Sequence, residues 1–164
     1  MKTEFGELVR VLTEAGVDFI VIGGVAANLQ GAARITYDLD VAYDRSSSNL
    51  ARLVAAIGPL HPYLRGAPPG LPFRFDVNTL RSGLNFTLTT DIGPFDLLGE
   101  VAGGGDYQRL LPHSREVDAF GVRCQCLDLD TLITVKRAAG RPKDFEAIAE
   151  LEIIRDLERD RAGD

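Results

Sequence analysis

The chain is poor in the residues that staple or metallate small proteins: it has two cysteines, Cys124 and Cys126, and two histidines, His61 and His113. The cysteines stand one residue apart, too close to brace the fold. Strand alternation would put both on one face, so they are predicted to be reduced thiols. Neither histidine has ligand spacing to them, which disfavours zinc. No run approaches 18 consecutive apolar residues, and the opening M-K-T-E-F-G-E lacks the apolar centre of a signal peptide. A cytoplasmic protein with no membrane partner is expected. Basic residues are also in deficit, 18 Lys and Arg against 24 Asp and Glu. That balance argues against broad, non-specific nucleic-acid binding but leaves room for a local basic surface holding an RNA end. The dinucleotide-binding pattern G-x-G-x-x-G is missing, since V-I-G-G-V-A-A-N has adjacent glycines instead. Gly103 to Gly105 have neither a Walker lysine nor a helix start behind them, which excludes a P-loop there. With 164 residues, one domain over 1–164 is expected, with its core at about 3–152.

The informative stretch runs from Ile20 to Tyr43, I-V-I-G-G-V-A-A-N-L-Q-G-A-A-R-I-T-Y-D-L-D-V-A-Y. It predicts a buried strand, a two-glycine turn, a short helix over about Val25 to Gln30, and a second strand carrying two aspartates. Alternation points Asp38 and Asp40 to one face, their Cα atoms about 6.6 Å apart, with Leu39 and Val41 on the other. Two carboxylates side by side raise each other's cost of ionisation unless a cation lies between them. A divalent metal site is the economical reading. Gly23 and Gly24 let the backbone approach a ligand and leave N–H groups free at the helix start, a position suited to phosphate. Together these features suggest nucleotide phosphates bridged by Mg2+ (or Mn2+), as in phosphoryl or nucleotidyl transfer.

The G-G, helix, D-x-D order resembles the signature of the DNA polymerase beta-like nucleotidyltransferase superfamily. The flanking G-A-A-R-I-T-Y-D-L-D-V is similar in particular to its small bacterial members, including the abortive-infection AbiEii-type toxins. The resemblance implies an α+β (mixed α/β) nucleotidyltransferase-like fold with a central mixed β-sheet flanked by helices, the last of them basic. It also implies transfer of a nucleoside monophosphate from a triphosphate to an acceptor hydroxyl on tRNA, protein or a small molecule, and a cognate antitoxin or other partner. By residue type alone, Arg34 and Thr36 are an exposed cation and a β-favouring residue; the resemblance places both beside the nucleotide.

The remaining chain supplies a scaffold and two more candidates. Phe5, Leu8, Leu12 and Ala15 predict a first helix capped by Thr3 and closed by Gly16, and Val17 to Ile22 a central strand. Ser46 to Ser48 cap a third helix. The Pro- and Gly-rich stretch from Gly58 to Pro72 is a loop, either a substrate cover or a plain connection. Phe73, Phe75 and Val77 alternate with polar residues, as do Leu84, Phe86 and Leu88, predicting two half-buried strands. In P-F-D-L-L, Phe95 and Leu97 face one side and Asp96 the other. In the superfamily the third acid lies on a neighbouring strand between apolar residues, and Asp96 fits that place, with Asp76 its competitor and Asp91 serving a turn. Arg115 to Ala119 and Val122 to Leu127 predict a hairpin, followed by a helix capped by Asp128 or Asp130. On that helix the apolar pattern runs from Leu132 and Ile133 to Lys136, which must reach the core's edge or meet an anion. Four cations, Lys136, Arg137, Arg141 and Lys143, lie between Thr131 and Lys143 with no acid among them, and the stretch resembles the late basic segment of small nucleotidyltransferases. Pro142 starts a last helix with Phe145, Ile148 and Leu151 inward, its end fraying after Arg155. The competing reading keeps the fold without the chemistry: a catalytically silent nucleotide-binding or protein-interaction module.

Overall fold

The computed structural model describes residues 3–163. Chain order is α1 (Phe5–Glu14), β1 (Phe19–Ile22), α2 (Gly23–Leu29), β2 (Leu39–Tyr43), α3 (Ser47–Ile57), β3 (Tyr63–Leu64), α4 (Val77–Ser82), β4 (Asn85–Thr90), β5 (Gly93–Leu98), α5 (Tyr107–Leu110), β6 (Ser114–Ala119), β7 (Val122–Leu127), α6 (Leu129–Ala139) and α7 (Pro142–Gly163). One seven-stranded mixed sheet runs β3-β4-β5-β2-β1-β7-β6. β1 pairs antiparallel with β2 and parallel with β7, and β2 pairs parallel with β5. The mixed sheet and its helices agree with the expected α+β architecture.

The central strands are buried on both faces because helices cover them: all four β1 residues are buried, as are Leu39, Val41, Phe95 and Leu97. α1 packs on α3 and β7, while α2 packs on α6 and α6 on α7. Asn49, fully buried on α3, ties the entrance of β1 to the exit of β2. Its Oδ1 accepts from Asp18 N at 2.7 Å, and its Nδ2 donates to the Asp44 and Asp18 carbonyls at 2.7 and 3.1 Å. Among the described residues the Asp18 N–H and the Asp44 carbonyl have no backbone partner where the strands stop, whereas the Asp18 carbonyl also accepts from Asp44 N at 3.2 Å. Phe120 and Gly121 both take positive φ at the β6–β7 turn, which suits the twist of a two-residue hairpin.

Several expectations fail locally. Phe73, Phe75 and Val77 form no strand: 71–76 is irregular, with Phe73 and Phe75 half-buried against the core, and Val77 begins α4. Asp76 caps that helix, its Oδ1 accepting from Thr79 N at 2.8 Å, which takes it out of competition for the third acid. Thr3 does not cap α1; its hydroxyl donates to the Tyr37 carbonyl. The 58–72 loop contains a 3-10 turn and the edge strand β3. Phe145 points outward, 61% exposed, because the buried stripe of α7 runs through Asp144, Ala147, Ile148 and Leu151. α7 extends to Gly163, and both Arg155 and Arg159 reach Asp130.

Candidate functional site

Sheet register assembles the site. Ile22, the last residue of β1, is opposite Asp40 on β2, and Asp40 is opposite Asp96 on β5. Asp96 is opposite Thr87 on β4, and Arg65, just past β3, donates its N–H to the Thr87 carbonyl at 3.0 Å. One row across the sheet thus carries Asp40, Asp96, Thr87 and Arg65. Asp38 precedes β2 and presents its carboxylate beside the other two, so oxygens of Asp38, Asp40 and Asp96 all lie within 4.8 Å of one another. The structure therefore brings together all three acids read from the sequence.

The turn from β1 into α2 makes room for them. Gly23 has φ +68, and a Cβ there would sit 2.1 Å from Asp40 Oδ2. A Cβ on Gly24 would meet Thr36 Oγ1 at 2.5 Å. Glycine is required at both places by close approach, and at Gly23 also by its backbone. α2 accordingly starts at Gly23, two residues earlier than the spacing predicts.

Three acids so close cannot all ionise without a cation. Burial, the charges of Asp38 and Asp96 and a hydrogen bond to Asp96 push the Asp40 carboxyl up to about 8, with Lys136 pulling the other way. Burial also raises Asp96, against the Asp40 hydrogen bond and the Arg65 guanidinium. Asp40 Oδ1 is buried with no hydrogen-bond partner. An orphaned carboxylate oxygen among three convergent acids fits a divalent, oxygen-liganded ion such as Mg2+ or Mn2+.

Two cavities meet at this point. The first, about 370 Å3, is lined by Gly23, Gly24, Arg34, Thr36, Asp38, Asp40, Lys136, Arg141 and Lys143. It contains every nucleotide-binding candidate read from the sequence. Arg34 leans across its rim to Glu146 (3.1 Å) and Glu150 (3.9 Å) on α7. Lys136 is half-buried; burial lowers its pKa, with Asp144 and Asp40 opposing and Arg141 reinforcing that shift. The second cavity, about 250 Å3, shares Gly23, Asp40, Lys136 and Arg141 but is otherwise lined mainly by apolar side chains, among them Ile22, Leu98, Val101, Leu132 and Val135.

Two participants escaped the sequence reading. Arg65 donates from Nη2 to Asp96 Oδ1 and to the Leu88 carbonyl, both at 2.6 Å, and its Nη1 lies 3.8 Å from Asp38 Oδ2. It stands in a Pro- and Gly-rich stretch without periodicity, read from sequence as a loop, just past the two-residue edge strand β3. Buried Asp144 holds Arg141 at the cavity wall, Nε to Oδ2 at 2.8 Å. Burial opposes its charge, but Arg141's hydrogen bonds and charge hold its carboxyl below the ordinary range.

No protein-family model matches the chain, and no curated protein matches it either. Among solved structures it is similar to the lincosamide antibiotic adenylyltransferase LnuA bound to lincomycin, with a TM-score of 0.62 at 12% identity over 94% of this chain and 99% of that one. It is also similar to the antibiotic-resistance factor ANT(2'')-Ia in solution, TM-score 0.52 at 14% identity, covering 96% of this chain and 90% of that one. The complex of ANT(2'')-Ia with adenylyl-2''-tobramycin gives 0.50 at 14%, covering 95% of each chain. The likeness is one of fold: this chain has the nucleotidyltransferase fold.

Proposed function

We propose that the protein is a metal-dependent nucleotidyltransferase, moving a nucleoside monophosphate from a nucleoside triphosphate to an acceptor hydroxyl. The observation that carries this reading is the convergence of Asp38, Asp40 and Asp96 within 4.8 Å, beside a cavity walled by Arg34, Lys136, Arg141 and Lys143. A protein that merely bound nucleotide would gain nothing from an acid raised to about 8 by burial and by its acidic neighbours, a costly arrangement without a cation. The shared fold with adenylyltransferases supports the same conclusion.

Each residue then has a task. Asp38, Asp40 and Asp96 hold Mg2+ (or Mn2+), which when bound supplies Lewis acidity and charge neutralisation at the phosphates. Gly23 and Gly24 let the triphosphate approach the backbone, and Thr36 packs beside Gly24 on the same wall. Lys136 and Arg34 meet phosphate charge, Arg34 after leaving exposed Glu146 and half-buried Glu150 on α7. The acceptor oxygen forms a bond to the α-phosphorus while the bond to the bridging α,β-oxygen breaks. Pyrophosphate departs on the cationic side, and Asp96 takes the acceptor's proton.

The apolar second cavity beside Asp40 favours a small acceptor, as do neighbours described with lincomycin and adenylyl-tobramycin. A tRNA or protein acceptor, and a cytoplasmic toxin-antitoxin or phage-defence setting with a cognate antitoxin, rest on the AbiEii-like resemblance of 31–41 alone. Among the described residues no helix is long and apolar enough to cross a membrane. The test is incubation with Mg2+, each α-labelled triphosphate and, separately, small-molecule, tRNA and protein fractions. Label entering the small-molecule fraction supports the proposal in full. Label entering tRNA or protein keeps the transferase and overturns the small acceptor.

A further inference from the structure

We propose that Arg65 is the fixed cation of the carboxylate site, occupying the Asp96 side where a second divalent ion would otherwise sit, so that the nucleotide-free protein holds a single exchangeable ion. The inference rests on the metal-site reading above and concerns how that site is filled. Of the three acids, Asp96 is already engaged: Arg65 Nη2 lies 2.6 Å from its Oδ1, with Nη1 3.8 Å from Asp38 Oδ2. The guanidinium is not a loose surface group. Its Nη2 also donates to the Leu88 carbonyl, and its backbone N–H bonds the Thr87 carbonyl next to Asp96 in the row. At the other end Asp40 Oδ1 has no partner at all.

The site is therefore lopsided, with a protein-supplied cation at Asp96 and a buried carboxylate oxygen without a hydrogen-bond partner at Asp40. Charge agrees: Arg65 cancels one of the three carboxylate charges and Lys136 acts on Asp40 from its side, so at most two negative charges remain, no more than one divalent ion cancels. A second ion on the Asp96 side would face a guanidinium at contact range, an unfavourable pairing even at moderate dielectric. Any further ion must then arrive with the charge of the nucleotide's own phosphates.

The test is Mn2+ binding to the full-length, nucleotide-free protein, followed by electron paramagnetic resonance and calorimetry. Wild type is expected to bind one Mn2+ per chain, and Arg65→Lys, which keeps the charge, also one. Arg65→Gln is expected to admit a second ion or to hold its single ion at least about tenfold more tightly, because a repelling charge has gone. Arg65→Met, which keeps the apolar stem, is expected to behave as Arg65→Gln does. Two ions on the wild type, or unchanged or weaker binding in both neutral variants, overturns the proposal. Asp40→Asn separates this failure from that of the site itself. If wild type binds no Mn2+, or Asp40→Asn binds as well as wild type, the metal reading falls; if only the Arg65 variants fail to respond, the site stands and Arg65 is a structural partner of Asp96.

Discussion

Gly23 and Asp40 are in mutual close approach: a Cβ on the glycine would lie 2.1 Å from Asp40 Oδ2 and 2.9 Å from its Cγ. The glycine thus makes the space that lets the second acid of D-x-D turn toward Asp96. Gly23→Ala must both adopt an unfavourable positive φ, at about 1–2 kcal/mol, and displace the carboxylate. We expect a modest fall in melting temperature but a loss of metal binding and transfer of about ten- to a hundredfold. Thermal denaturation read beside Mn2+ titration checks this; equal losses in both would mean that Gly23 matters only for folding.

Asp40 gives the site a pH dependence of definite sign. Its ordinary pKa of 3.8 is raised to about 8 in the folded, metal-free protein, so the folded chain binds this proton more tightly than the unfolded one. The contribution to stability is complete below pH 3.8 and is lost as pH rises toward and through about 8. Metal must displace the proton, so Mn2+ affinity should climb with pH up to about 8 and each ion bound should release protons. Calorimetry in buffers of different ionisation enthalpy measures the release. In Asp40→Asn the metal-free stability slope over this range should flatten.

Asn49→Ala tests the scaffold without touching the site. The side chain is fully buried and completes three hydrogen bonds to Asp18 and Asp44, so its loss strands the Asp18 N–H and the Asp44 carbonyl at the ends of β1 and β2, while the Asp18 carbonyl keeps the Asp44 N–H. A cost of about 3 kcal/mol is expected, or a fall of roughly 10 °C in melting temperature. Mn2+ affinity below the transition should be unchanged.

The cysteines are expected to be inert. Both are free and buried, and burial first, then the neighbouring Cys124, pushes Cys126 up to about 11, while burial raises Cys124. A thiol reagent at neutral pH should label neither before unfolding, and reductant should leave the melting temperature unchanged. Rapid labelling of the native protein would contradict the packing of β7 against its neighbours.

The parts of this fold legible from sequence are those where local pattern and tertiary role coincide. Adjacent glycines followed by D-x-D mark a strand, a tight turn and a second strand, and alternation alone put Asp96 on the side away from Phe95 and Leu97. The failures occur where a local pattern is answered by something distant. Phe73 and Phe75 alternate like a strand, but Asp76 caps a helix and the aromatic rings lean on the core without a ladder. Phe145 has core spacing, yet the helix turns Asp144 and Ile148 inward, since Asp144 must meet Arg141. Arg65 carries no pattern of its own; its place follows from which strand β3 pairs with, a relation among elements far apart in the chain.

The most direct test of the account is label transfer from each α-labelled nucleoside triphosphate in turn, in the presence of Mg2+ and a cell extract, comparing wild type with Asp40→Asn. Above the background of extract alone, wild type should place α-label but no γ-label on an acceptor, and Asp40→Asn should lose about a thousandfold in rate, as removal of ~4 kcal/mol of transition-state stabilisation requires. Equal labelling by wild type and Asp40→Asn, or labelling that persists after chelation of divalent ions, would contradict it.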